Sequence, residues 1–236
     1  MYGLSGRLVG HLLSQQAWAI DAAQLATDAR TTAEAVCHGF SVGQAFVGPA
    51  EHADSVPSSD LSAILARVLT SVFDEMIHNA VFWQRVRGSE PVRWFGDPVS
   101  VPDNPLPVDP ARMWKSFRLG CRTLHEVWAP IMSPAALLAF KYLAREDVSQ
   151  ALMPDDLWAR TIYDFALGYR LRVMNRNHLL GALTPLYLGW MAGFVQRMAS
   201  AHPHDVERRV HELASVFETQ KPYLISRWRW PDCFTP

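Results

Sequence analysis

The chain has 236 residues, of which 49% are hydrophobic and 11% aromatic, and a formal net charge of -1. That length can bury one large core or two smaller ones. The balanced charge supplies no overall field for a phosphate backbone or an anionic membrane, so neither nucleic acid nor a membrane surface is the expected partner.

The elements follow in chain order. Ser5 can cap a first helix carrying Leu8, Val9, Leu12 and Leu13. A second helix is predicted over 21–38, with Leu25, Ala29, Thr32 and Val36 along it and Gly39 as its C-terminal stop. The period then shortens, and Phe40 to Val47 read as a short strand before a polar loop over 49–59. Leu61, Ile64, Leu65, Val68, Val72 and Met76 predict a long helix reaching about Val86, closed by Gly88. Five prolines lie between Gly88 and Pro110, so residues 89–108 read as an extended linker or arm.

Beyond the prolines the pattern is helical throughout. Asp109-Pro110 opens a helix expected to reach Pro130, and Ser133-Pro134 opens a shorter one. Asp155 and Asp156 open a helix whose face carries Trp158, Ile162, Phe165 and Tyr169. A run without charge follows from Leu179 to Val195, expected to break at Pro185. It sits at the short limit of about 17 residues for crossing a bilayer, and its proline and glycines favour a core helix over a span. Gly189 and Gly193 suit close helix packing. A last helix is predicted over 205–220, with an aromatic tail after it. The fold class expected is mainly α.

Few motifs carry chemistry. Cys37, Cys121 and Cys233 are far apart and form no C-x-x-C pair, so no zinc ribbon or disulfide framework is indicated and a reducing, cytoplasmic setting is expected. No leader pattern of basic then apolar residues opens the sequence. Phosphate-binding glycine loops, G-x-S-x-G and H-E-x-x-H are all missing. Asn175-Arg176-Asn177-His178 reads as a turn that caps the preceding helix, with anion or sugar recognition as its functional alternative. Arg227-Trp228-Arg229-Trp230 reads as a tail whose tryptophans plug grooves while its arginines stay wet. Glu51-His52, after the short strand, has the residue types of a metal or phosphate site.

Several segments in order carry a family resemblance. They are Gly3-Leu-Ser-Gly-Arg-Leu-Val, Asp21 to Asp28, Gln44-Ala-Phe-Val-Gly48 with His52, and Arg85-Val-Arg-Gly-Ser-Glu-Pro91. Leu157 to Ala166, Leu183 to Trp190 and Lys221 to Trp228 continue the series. Together they resemble the C-terminal portion of GT-A, family-2-like glycosyltransferases of the mannosylglycerate and glucosyl-3-phosphoglycerate synthase type. The likeness departs at Ala26 and Arg30, where that family has Gly and Trp.

The resemblance implies a remnant of a GT-A catalytic domain over 1–88 and an α-helical C-terminal domain over 109–236. It implies hexosyl transfer from a nucleotide sugar to a small hydroxyl acceptor, with a divalent metal, Mg or Mn, on the diphosphate. Asp28 would be the catalytic carboxylate and His52 the metal ligand. The nucleotide-binding half is not in this sequence, so the expectation is a chain that needs a partner chain or a homo-oligomer for activity. The alternative expectation is a non-catalytic helical scaffold or oligomerisation protein. Neither calls for nucleic acid or a membrane span.

Overall fold

The computed structural model of the chain describes residues 3–14, 27–46, 61–96, 108–150 and 152–229. The protein is mainly α. It divides into two compact units, Met1–Asn104 and Pro105–Pro236.

In the first unit, α1 (Gly6–Ser14) is capped by Ser5, whose Oγ accepts from the Leu8 amide at 3.3 Å. Leu8 and Leu12, one turn apart, pack on Ala35 of α2 (Thr27–Cys37), with Phe40 and Val42 closing the cluster. The end of α2 is a Schellman turn. The Phe40 amide reaches back to the Ala35 carbonyl at 2.8 Å, and the Gly39 amide to Val36 at 3.2 Å. Gly39 sits at φ 72°, which a side chain would strain.

The strand β1 (Gly43–Ala45) pairs in parallel with β2 (Arg93–Phe95), Gln44 opposite Trp94. Thus part of the proline-rich stretch read as an arm is a strand of the first unit. Between them α3 (Leu61–His78) packs on α2, and a short α4 (Ala80–Trp83) follows. The single helix expected to Val86 is interrupted at Asn79.

In the second unit, α5 (Pro110–Thr123) and α7 (Pro134–Leu143) start as their prolines predict. Asp109 Oδ1 accepts from the Arg112 amide at 3.1 Å, and Ser133 Oγ from the Ala136 amide at 3.3 Å. The helix expected to run to Pro130 breaks at Leu124, leaving α6 (His125–Trp128) as a separate turn.

α8 (Asp155–Leu171) and α9 (Arg176–Met198) form the centre, and α10 (Pro203–Arg229) lies along α8. Asp155 pairs with Arg209 and Arg170 with the Trp228 carbonyl, so α8 and α10 run in the same direction.

Pro185, expected to break its helix, does not, and the last helix runs on past its expected end at Gln220. Pro185 lies inside α9 and Pro222 inside α10. Near Pro185, which offers no amide to the ladder, the Trp128 indole donates to the Ala182 carbonyl at 3.0 Å. Tertiary packing also holds α9 against α5. A Cβ at Gly189 would lie 2.6 Å from Phe117, and one at Gly120 2.6 Å from Pro185, so both glycines permit a close approach that no larger residue allows. α9 is long and apolar enough to cross a membrane, and half of its most apolar window is buried inside the unit.

The Asn175–His178 cluster caps the following helix, not the preceding one. Asn175 Oδ1 accepts from the amides of Asn177 and His178 at 2.9 and 3.4 Å. α8 instead ends at Arg172, which takes the left-handed conformation, φ 54°.

Candidate functional site

The two site residues expected from the resemblance are not positioned by the described structure. Asp28 belongs to the first turn of α2, but its side chain is not among those described, and His52 lies outside the described residues. The structure does bring together three residues that the sequence reading passed over.

Glu34 is on α2, one helical turn before His38, and the i, i+4 spacing places both on one side of the helix. His38 follows the last residue of α2, where the Gly39 turn fixes the backbone. His11 comes from α1, brought over by the packing of Leu8 and Leu12 on Ala35.

Glu34 is buried, and both rings turn a nitrogen to the same carboxylate oxygen. His11 Nε2 is 3.3 Å and His38 Nδ1 3.2 Å from Glu34 Oε2. His38 Nδ1 is also 3.0 Å from the Glu34 carbonyl, and the two rings are 4.3 Å apart at their centroids. One ligand atom from each of the three residues falls within 4.8 Å of the others. Among the described residues this is the one such group.

The donor set is informative. Two imidazoles and a carboxylate are the ligands of several catalytic zinc sites and of facial-triad iron sites. The nitrogen–oxygen separations are close to the edge of a tetrahedron with metal bonds of about 2.0–2.1 Å, roughly 3.3 Å.

The surroundings are electronegative. Burial, then the Glu34 charge, hold the Glu75 carboxyl above its usual range, with Arg30 at 3.5 Å pulling the other way. Burial and the same two carboxylates push the Cys37 thiol up. A cation beside Glu34 would relieve both groups. Next to His38 an open groove of about 440 Å³ is lined by Cys37, His78, Asn79 and Arg85. The signal for this site was present as Glu34-x-x-x-His38, but its partner His11 lies 23 positions away from Glu34, and only tertiary packing joins them.

The second unit holds a different polar group. Asp164 of α8 is buried and accepts from Tyr223 at 2.7 Å and from Arg227, which are one turn apart on α10. Burial pushes its carboxyl up to about 7, against the pull of Arg227 and of the Ser133 amide. Arg227 is therefore buried at this pair, not wet as a tail residue would be, while Trp228 is buried as expected. This network ties α8 to α10 through Tyr223 and Arg227, and Asp164 Oδ2 is buried in it without a hydrogen-bond partner.

The sequence matches no protein-family model, no curated protein and no solved structure.

Proposed function

We propose that the first unit binds a divalent transition-metal ion through His11, Glu34 and His38, and that the groove beside His38 admits a small molecule to it. The observation that carries this reading is the Glu34 carboxylate flanked at 3.3 and 3.2 Å by ring nitrogens from two different helical segments. A bound ion with three protein ligands keeps a position open for water or substrate and supplies Lewis acidity there. The chain's own part is to hold the two imidazoles in place beside Glu34, which the Schellman turn and the Leu8–Ala35 packing do. Arg85 in the groove favours an anionic small molecule.

The test is zinc and manganese titration of the full chain, with metal content measured after dialysis. One equivalent retained by the native chain and lost in Glu34→Gln and His11→Ala supports the reading. Native chain that retains no ion, with Glu34→Gln merely less stable, would mean a hydrogen-bonded His–Glu–His group and would end it.

The glycosyltransferase reading has the sequence resemblance as its support, and it too requires a divalent ion. Calorimetry with Mn²⁺ and UDP- or GDP-hexoses tests it, and no binding of any of these by the chain would remove it. The scaffold reading is supported by Leu138 and Tyr142, one turn apart on α7 and each at least half exposed. A concentration-independent monomer in sedimentation would count against it.

A further inference from the structure

A second cavity lies wholly inside the second unit and takes no part in the metal reading. It occupies about 790 Å³ between α5 and α7, within the size range of roughly 300–1,000 Å³ typical of small-molecule sites. Arg118 and Arg122 stand on one wall, Lys141 and Arg145 on the other, with His125 of α6 at the end. The floor is apolar, made by Leu137, Phe140, Trp128 and the Cys121 thiol. No acidic residue lines it.

The charge is arranged in a way that has a cost. Arg118 and Arg122 are four residues apart on α5 and share one face, while Lys141 of α7 and Arg145, just past the end of that helix, set two more like charges on the other wall. Like charges at the Arg118–Arg122 spacing destabilise the helix that carries them. None of the four forms an ion pair with a described acidic residue, whereas Arg208, Arg209 and Arg227 of the same unit all do. Arg145 is further steadied over the Tyr142 ring, 5.5 Å from its centroid.

A smaller groove of about 450 Å³ adjoins, again lined by Arg118 and Arg122 and now by Lys115, with Asp147 as its acid. The two grooves therefore share their central cations. The geometry points to a binding site for a small organic phosphate, with two or more negative charges held between the arginine and lysine walls and an apolar or ring-shaped body on the floor. Arginine suits this because its fork matches phosphate oxygens. The cations cluster around a bounded cavity and do not extend as a stripe, which favours a small molecule over a nucleic-acid strand.

Two sources share this chemistry, a soluble phosphate ester and a lipid headgroup. The test uses the full chain in low and moderate salt. ADP is titrated by calorimetry, and vesicles of phosphatidylcholine with and without phosphatidic acid are tested by flotation. Binding that weakens at least tenfold in the Arg118→Gln, Arg145→Gln double variant supports the site, with ADP or phosphatidic acid then naming the source. Arg112→Gln, an exposed cation of α5 outside the groove, should bind as the native chain does. Circular dichroism of both variants should be native. The proposal is overturned if neither probe binds, if the double variant binds as tightly as the native chain, or if a single-stranded oligonucleotide binds more tightly than ADP.

Discussion

Glu34 in the first unit and Asp164 in the second are both carboxylates held below a helical surface by nitrogen partners, yet they lead to opposite readings. Asp164 is given a guanidinium that stays charged and a phenol, Arg227 and Tyr223, inside the α8–α10 seam. Glu34 is given two imidazoles beside a groove open to solvent. A permanent cation makes a structural bond. Partners that are themselves metal ligands leave the group able to take up an ion that arrives from outside. Burial alone does not separate a site from a strut; the identity of the partners does.

The largest effect should come from breaking the strut. Asp164→Ala leaves Arg227 buried without its partner and should cost about 3–5 kcal/mol, read as a shift in urea midpoint. The pH dependence has a defined sign. The folded carboxyl is raised to about 7 from 3.8, so between those values the native state keeps a proton that the unfolded chain releases. Its contribution is complete below about pH 4 and is lost as pH rises through about 7, with a slope of up to about 1.4 kcal/mol per unit. Asp164→Asn should flatten that slope. Arg227→Met should be more damaging at pH 8 than at pH 5, where protonation spares the stranded carboxyl. Equal losses at the two pH values would break the contrast with Glu34.

The ion comes next. Zinc at a hundred times its dissociation constant should stabilise the chain by about 2.7 kcal/mol if it binds the folded state alone. The gain should vanish in Glu34→Gln and His38→Ala and persist in Asp164→Asn, which sharpens the division between the two units.

Much of the helical architecture was legible in the sequence, because the caps at Ser5, Asp109 and Ser133 and the stop at Gly39 act over three or four residues. Two kinds of feature were not. The first is tertiary rescue of a local rule. Pro185 should break its helix and the last helix should stop near Gln220, and only the α5–α9 packing at Gly120 and Gly189, or the length of the α8–α10 seam, makes their continuation worthwhile. The second is a site assembled across elements. Glu34 and His38 share a helix face and could have been found, but His11 joins them through the packing of Leu8 on Ala35, which no spacing encodes. Asp164 was similarly hidden as a polar residue within an apolar helix, its partners 59 and 63 positions away.

The smallest effect expected is at Asn175, where reading and structure differ by the direction of a cap. Its Oδ1 accepts two amides of the first turn of α9, so Asn175→Ala should cost about 1 kcal/mol, and Asn175→Asp, which keeps an acceptor, far less. If the cluster served the preceding helix instead, Arg172 in its left-handed conformation would be the sensitive position, and Arg172→Gly would be stabilising while Asn175→Ala was neutral. Both substitutions lie in the second unit, so zinc affinity should be unchanged in both. A change there would show that the second unit shapes the metal centre, and the contrast between strut and site would have to be drawn over the whole chain.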